Sequence, residues 1–328
     1  MLDLRRRQFI RLLGGAVAAW PIAARAQAVM PVIGFLSGVS PDGYAVYADA
    51  FRQGLRQAGY VDGQNATIEY RWAEDHYDRL PALVADLIQR KVTVIAATTT
   101  PAALAAKAAT STIPIVFTTG GDPIKLGLVA SLNRPGGNVT GVSNLLLELG
   151  SKQLGLLREL LPAITAITIL VNPNFAGTES QLRDVEAASR TLGLQLIVLR
   201  ASSDDEIDTA FATIARQPSP ALVVGVDPSF LDRRDHVMAL AARYAIPTIY
   251  PLRHFAVAGG LMSYGTDFAD SYRQAGVYTG RIVRGEKPTD LPVQRATKFE
   301  FMINLKTAKA LGLAVPNSMQ LLADEVIE

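Results

Sequence analysis

A chain of 328 residues is longer than one ordinary α/β core and fits two lobes of common size. Its hydrophobic fraction of 49% and charged fraction of 19% are typical of a globular protein and exclude a disordered chain. The sequence has no cysteine, which excludes disulfides, thiolate metal sites, a cysteine nucleophile and a lipid anchor on an N-terminal cysteine.

The formal net charge of +2 is concentrated at the start of the chain. Residues 1–26 hold five arginines and one acidic residue, so the remainder carries 27 basic and 29 acidic residues. Phosphate binding requires a concentrated basic surface, and we therefore expect no nucleic-acid partner. Beyond residue 26, no apolar run approaches the roughly 20 residues that cross a bilayer.

The first 26 residues have the three parts of a signal peptide. A basic start with three adjacent arginines precedes a short apolar stretch, and Ala24 and Ala26 form a small-x-small cleavage site. Residues 6–10, Arg-Arg-Gln-Phe-Ile, resemble the twin-arginine consensus, but Arg5 stands where that consensus has Ser or Thr. Export by the general secretory route is therefore the alternative to the twin-arginine route. We expect a periplasmic protein that is cleaved near Ala26.

Eight β-type runs, four in each half of the chain, alternate with helix-type segments. The runs begin at residues 32, 67, 92 and 113 in the first half, and at 167, 194, 221 and 246 in the second. The segments between them, such as 44–59 and 79–91, have apolar residues three or four apart, which predicts helices. Val/Ile-rich strands that alternate with helices form parallel sheets covered on both faces. We therefore predict an α/β fold of two doubly wound parallel-sheet lobes.

The strand ends supply the candidate binding residues. In doubly wound sheets, ligands lie beyond the carboxyl ends of the strands, where the loops diverge. The side chains at these ends are mainly hydroxyls, amides and aromatics, which suit a small amphipathic solute held by many neutral hydrogen bonds. The candidate ligand-binding residues are Ser37, Thr98, Thr99, Thr119, Asp122, Asn172, Asp227, Tyr250 and Tyr264.

Several of these candidates have a structural alternative. Residues 118–123 end a strand and begin a helix, and Asp122 either caps that helix in a tight turn or lies in a loop whose free N–H groups receive a ligand carboxylate. One of the threonines at 98–100 caps the helix that follows. Asp227 either caps a helix or binds an ammonium group. Tyr250 and Tyr264 either stack on the ligand or pack in the core or hinge.

The sequence contains no recognisable catalytic constellation. It has no nucleotide-binding loop, no His-Glu-x-x-His element and no Gly-x-Ser-x-Gly elbow, and its three histidines are isolated. We therefore expect no catalytic residues, no metal site and no cofactor. The alternative is an exported α/β enzyme that acts on a small molecule, because twin-arginine export often carries folded enzymes. The missing cysteines, nucleotide loops and metal clusters count against it.

Four blocks of sequence carry a resemblance to a known family. They lie at 113–143, 259–267, 272–294 and 299–316, and include Arg-Pro-Gly-Gly-Asn-Val-Thr-Gly and Asn-Leu-Lys-Thr-Ala-Lys-Ala-Leu-Gly-Leu. With these blocks the chain resembles the ABC-transporter substrate-binding family often described as tryptophan/tyrosine-type. Members of that family have the type I periplasmic binding-protein architecture.

The resemblance implies both an arrangement and a function. It implies a hinge of three crossings, which we place near 143–147, 262–267 and 291–297. Lobe one then comprises residues 27–144 and 265–292, and lobe two comprises residues 145–264 and 293–328. The implied function is capture of a small aromatic or amino-acid-like solute between the lobes and its delivery to an ABC permease in the inner membrane. We expect the protein to be a monomer.

Overall fold

The computed structural model describes residues 30–218 and 220–328. The predicted signal peptide, at 1–26, lies outside the described residues. Every one of the eight predicted β-type runs contains a strand, and the strands form two separate sheets. The prediction of two parallel-sheet α/β lobes is confirmed.

The first sheet has six strands, all paired in parallel. They are β1 (Val32–Ser37), β2 (Thr67–Trp72), β3 (Val94–Ala97), β4 (Ile115–Thr119), β5 (Val139–Ser143) and β11 (Gln294–Arg295), in the order β2-β1-β3-β4-β5-β11. Every residue of β3, β4 and β5 is buried, because helices cover both faces of the sheet.

The second sheet has seven strands. They are β6 (Ala166–Val171), β7 (Gln195–Arg200), β8 (Leu222–Val224), β9 (Thr248–Tyr250), β10 (Met262–Thr266), β12 (Phe299–Asn304) and β13 (Glu325–Ile327), in the order β7-β6-β8-β9-β10-β12-β13. The pairing of β10 with β12 is antiparallel, whereas the other pairs are parallel.

Helices connect the strands of both sheets. In chain order they are α1 (Pro41–Gln57), α2 (Leu80–Gln89), α3 (Thr100–Ala109), α4 (Gly150–Leu160), α5 (Thr178–Leu192), α6 (Asp204–Ile214), α7 (Pro228–Asp232), α8 (Arg234–Arg243), α9 (Arg253–Val257), α10 (Phe268–Val283), α11 (Leu305–Ala310) and α12 (Asn317–Leu322). Short 3₁₀ turns lie at Tyr77–Arg79, Leu146–Glu148 and Pro288–Asp290.

The chain passes between the sheets after β5, between β10 and β11, and between β11 and β12. The lobe limits given above stay predictions. Gln294 and Arg295 lie beyond the predicted limit of lobe one at residue 292, and they pair with β5 of the first sheet.

Helix α10 follows β10 of the second sheet but packs against α1 of the first lobe. The two helices approach closely at Gly54 and Gly276. A Cβ at Gly276 would overlap the carbonyl oxygen of Phe51, and a Cβ at Gly54 would overlap that of Arg273. The late segment of the chain is therefore an integral part of the first lobe.

The segment after Gly121 differs from the sequence expectation. A helix was expected there, but the described residues 122–138 form turns. One turn closes where the N–H of Leu126 donates to the carbonyl of Asp122, at 3.0 Å. Gly127 then adopts a left-handed φ of 69°, which ends the helical path.

Candidate functional site

A cavity of about 520 Å³, part of it open to solvent, lies between the two lobes. Its lining comes from residues that follow the carboxyl ends of strands in both sheets, as the rule for doubly wound folds predicts. The polar lining residues are Thr98, Thr99, Thr100, Thr118, Thr119, Asn144 and Asp227. The aromatic lining residues are Tyr44, Phe175, Phe230, Phe255 and Phe268.

The first lobe contributes a wall of buried threonines. Thr99 is the N-cap of α3, and its hydroxyl oxygen accepts hydrogen bonds from the N–H groups of Gly38, at 3.1 Å, and Ala102, at 3.4 Å. The hydroxyls of Thr100 and Thr119 are hydrogen-bonded to each other at 2.8 Å. A hydroxyl has one donor and two acceptor sites, so Thr99 keeps its proton for another acceptor.

Asp227 is the only charged residue among the described residues that line the cavity. It is 5% exposed and caps α7, where Oδ1 accepts from the N–H of Ser229 at 3.0 Å and from the Ser229 hydroxyl. Nδ2 of Asn172 donates to the same oxygen at 3.1 Å. The hydroxyl of Tyr77, in the first lobe, donates to Oδ2 at 3.1 Å. Burial raises the pKa of Asp227, and these hydrogen bonds oppose that rise.

The aromatic side chains close the remaining walls. Phe230 and Phe255 lie on α7 and α9 of the second lobe, and Tyr44 and Phe268 lie on α1 and α10 of the first. The rings of Tyr44 and Phe268 meet edge to face with centroids 6.4 Å apart. The cavity is therefore mostly apolar, with its polar groups at the strand ends.

The structure brings five of the nine sequence candidates to the cavity or to its charged group. Thr98, Thr99, Thr119 and Asp227 line it. Asn172 lies behind Asp227 and holds the carboxylate in place. Asp227 therefore caps α7 and also faces the cavity, and its binding to an ammonium group stays a prediction.

The other four candidates do not line the cavity. Ser37 is buried at the end of β1, and its hydroxyl has no hydrogen-bond partner among the described residues. Asp122 caps its own turn by accepting from the N–H of Ile124 at 2.8 Å. The ring of Tyr250 is packed in the second lobe against Phe255, with centroids 4.7 Å apart. The ring of Tyr264 stacks on Phe299 instead, at 6.4 Å.

Sequence reasoning missed the aromatic lining residues. Phe230 and Phe255 occupy the helices that follow β8 and β9, so they lie one element beyond the strand ends that supplied the sequence candidates. Tyr44 lies similarly on α1, after β1. The signal available in the sequence was an aromatic residue early in each of these helices.

Polar contacts join the two lobes across the cleft. Each pairs a side chain from the region of β1 and β2 with one from the segment 227–254. They are Ser40 Oγ to Asp232 Oδ1 at 2.6 Å, Tyr47 OH to His254 Nδ1 at 2.8 Å, Tyr77 OH to Asp227 Oδ2 at 3.1 Å, and Arg233 Nη1 to Asp75 Oδ2 at 2.9 Å. These contacts define a closed arrangement of the cleft.

Two further observations concern the described residues, 30–218 and 220–328. Within them, no group of three or more histidine or acidic side chains is placed to hold a metal ion. No helix in the same ranges is long and apolar enough to span a lipid bilayer.

Comparison with known proteins finds similar proteins both by sequence and by structure. A "Tyrosine-binding protein" from Clostridioides difficile is 28% identical over 263 residues, which cover 80% of this chain and 75% of the relative. A crystal structure titled as an ABC domain in complex with L-Trp, from Streptococcus pneumonia, has 26% identity and a TM-score of 0.82, covering 90% of this chain and 99% of that one. A conserved domain protein from Vibrio cholerae has 25% identity and a TM-score of 0.84, with the same coverage.

The family is decided by a match along nearly the whole chain. The model of the family described as "ABC transporter substrate binding protein" matches residues 32–327. This match confirms the resemblance drawn from the four sequence blocks. It also confirms that the chain is a binding protein and not an enzyme. The chain belongs to the family of ABC transporter substrate-binding proteins.

Proposed function

We propose that this protein binds an aromatic amino acid between its two lobes and presents it to an ABC permease. The observation that carries the proposal is the position of Asp227, a buried carboxylate in a cavity whose other described lining residues are uncharged. A buried charge requires a partner of opposite sign. The ammonium group of an amino acid is such a partner, whereas a purely acidic solute would be repelled.

The carboxylate of the same solute has a different set of partners. Thr99 offers a hydroxyl proton, the hydrogen-bonded pair of Thr100 and Thr119 offers a second, and the amino-terminal end of α3 adds the positive end of a ten-residue helix dipole. These groups bind an anion without a basic side chain. A zwitterion is therefore matched at both of its charges.

The side group of the solute lies among the aromatic lining residues. Phenyl rings pack well on other aromatic rings, edge to face or offset, and each such pair contributes about 0.5–1.5 kcal/mol beyond area burial. Phe175, Phe230 and Phe255 provide such faces on the second lobe. The relatives named as tyrosine-binding and solved with L-Trp support an aromatic side group.

The family match and the sequence of residues 1–26 support the proposed place of action. A signal peptide cleaved near Ala26 would release the protein into the periplasm, where a monomer closes on its solute and meets the inner-membrane permease. No chemistry is performed on the solute.

Calorimetric titration of the purified protein with L-tryptophan, L-tyrosine and L-phenylalanine tests the proposal. We expect saturable binding of at least one of them, with the solute recovered unchanged by mass spectrometry. Asp227→Asn should weaken binding about tenfold or more, because a charged hydrogen bond is worth roughly 1.5–3 kcal/mol.

Asp122→Asn is the matched control. Both aspartates accept backbone N–H bonds as caps, and asparagine caps almost as well as aspartate. Only Asp227 faces the cavity, so Asp122→Asn should leave the affinity unchanged. Unchanged affinity in both variants, or turnover of the solute, would contradict the proposal.

A further inference from the structure

We propose that Tyr77, through its hydroxyl on Asp227, is the residue by which the closed cleft selects solutes that carry a protonated amine. The proposal rests on the proposed function, since it assigns a new role at the same site. Tyr77 was not among the sequence candidates, and it does not itself line the inner cavity. It acts on the solute through Asp227, as a positioning residue.

The two oxygens of Asp227 are not equivalent. Oδ1 accepts from Asn172 and from two donors of Ser229, all within the second lobe. A carboxylate oxygen has about two lone-pair sites, so Oδ1 is fully used. Oδ2 accepts from Tyr77 alone among the described residues. A solute that binds Asp227 must therefore use the second site on Oδ2, beside the Tyr77 hydroxyl.

The partners of Asp227 also separate two spaces. Tyr77, Asn172 and Ser229 line an outer polar recess between the lobes, together with Asp75 and Arg233. Asp227 itself lines the inner cavity. The hydrogen-bonded group of Tyr77 and Asp227 thus lies between the outer recess and the inner cavity. A solute in that cavity meets a carboxylate whose solvent-side positions are already occupied.

Tyr77 belongs to the first lobe, whereas Asp227 belongs to the second. Its ring is held against Gly38, where a Cβ would lie 3.1 Å from ring atom Cε1 and 3.0 Å from the hydroxyl of Thr99. Because the ring is fixed to the first lobe, its hydroxyl reaches Asp227 only when the cleft closes. Selection by this contact is therefore coupled to closure of the cleft. Closure is the step at which ligand binding shifts the population of molecules from the open to the closed form.

The charges around the pair decide what Tyr77 does. Burial raises the pKa of Tyr77 well above its ordinary value, so the phenol stays protonated and donates. Asp75 and Arg233 face the pair from either lobe, and Tyr44 faces Asp227 from α1. Burial favours protonation of Asp227, and the Tyr77 hydrogen bond opposes it. Without that bond, Asp227 takes up a proton more readily and loses its attraction for an ammonium group.

The test compares each aromatic amino acid with the same skeleton lacking the amine. The probes are L-tryptophan with indole-3-propionate, L-tyrosine with 3-(4-hydroxyphenyl)propionate, and L-phenylalanine with 3-phenylpropionate. Tyr77→Phe keeps the ring on Gly38 and removes only the hydroxyl. We expect it to weaken binding of the amino acid about tenfold while the amine-free acid is affected less, so the preference for the amine falls.

The pH profile gives a second readout that a merely structural role would not change. The affinity of wild type for the amino acid, measured between pH 6 and 8, gives the reference profile. In Tyr77→Phe, the affinity should fall more steeply than in wild type as the pH is lowered through this range, because Asp227 takes up a proton more readily without the Tyr77 hydrogen bond. Tyr264→Phe is the matched control, since it removes the hydroxyl of a tyrosine that stacks on Phe299 outside the cavity. It should match wild type in both readouts.

The outcomes separate the two proposals. If Asp227→Asn weakens binding but Tyr77→Phe keeps wild-type affinity, preference and pH profile, the role of Tyr77 is overturned and the proposed function stands. An equal loss for amino acid and amine-free acid, with the pH profile of wild type, also overturns it, because it indicates a contribution to closure alone. Failure of wild type to bind any of the three amino acids overturns both proposals.

Discussion

Nη1 of Arg233 lies 2.9 Å from Oδ2 of Asp75, and this ion pair joins the two lobes outside the cavity. Asp75 has a left-handed φ of 63° and a side chain that is only 11% exposed. Burial, opposed by Arg233 and reinforced by Asp232, raises the pKa of Asp75 to about 7. The ion pair is therefore strained by desolvation near neutral pH.

Comparison of wild type with the variant Asp75→Asn should reveal this strain as a pH dependence of stability. A raised pKa in the folded state means that Asp75 contributes stability below the unfolded value of 3.8, and that this contribution is lost as the pH rises towards 7. Asparagine tolerates the left-handed backbone and does not titrate. The melting temperature of wild type relative to Asp75→Asn should thus fall between pH 4.5 and 8. A difference that is independent of pH would contradict the assignment.

Closure of the cleft should depend on the Ser40–Asp232 hydrogen bond. Ser40 precedes α1, but its hydroxyl does not cap the helix and donates across the cleft instead. Ser40→Ala should weaken solute binding about 2- to 10-fold, as expected for one neutral or charge-assisted hydrogen bond. Small-angle scattering should show compaction on binding in wild type and a larger unliganded radius of gyration in the variant.

Ser203→Ala provides the control for Ser40→Ala. The hydroxyl of Ser203 caps α6 by accepting from the N–H of Glu206, a hydrogen bond within the second lobe. Its loss should lower the melting temperature and leave solute affinity unchanged. An identical radius of gyration with and without saturating solute in wild type would show that the lobes do not move.

The close approach of α1 and α10 predicts opposite effects for two glycine substitutions. Gly276→Ala places a Cβ against the backbone of α1 and should destabilise the protein by about 1–3 kcal/mol or more, the usual cost of overpacking. Gly155→Ala lies within α4, where nothing is within 4 Å of the added Cβ, and should stabilise by about 0.5–1 kcal/mol. Chemical denaturation of both variants measures the difference. Equal effects would contradict the packing.

Export should leave a defined N-terminus. Mass spectrometry of the protein from cells should find a chain that begins at Gln27, because Ala24 and Ala26 form the cleavage site. Replacing Arg6 and Arg7 with lysine should block export by the twin-arginine route. Normal export of that variant indicates the general secretory route, and recovery of intact Met1 in the cytoplasm would contradict export altogether.

Sequence pattern was sufficient for the architecture because each strand carries its own signal. The runs that begin at residues 32 and 67 coincide with β1 and β2. Each run contains β-branched and aromatic residues, and turn residues separate it from the neighbouring helical segments. The helix expected after Gly121 is absent from residues 122–138, because Gly127 takes a left-handed conformation that the local pattern of apolar residues does not reveal.

The candidate site was only partly predictable for a different reason. Thr98 and Asp227 follow directly from topology, since the carboxyl end of a parallel strand fixes where its next residue points. Tyr77 and Phe255 reach their positions through packing between elements far apart in sequence. The position of Tyr250 was unpredictable for the same reason. The adjacent helix places Phe255 at the cavity, and the ring of Tyr250 packs against Phe255 without lining the cavity.

The position of α10 also affects how the chain is synthesised. Strands β1 to β5 are complete by residue 143, but α10, which covers α1, begins only at Phe268. Until then the face of α1 around Phe51 and Gly54 has no partner from α10. A chain stalled on the ribosome before residue 268 therefore exposes an apolar groove along a finished helix, which is the kind of surface that chaperones recognise and that aggregates when they are limiting.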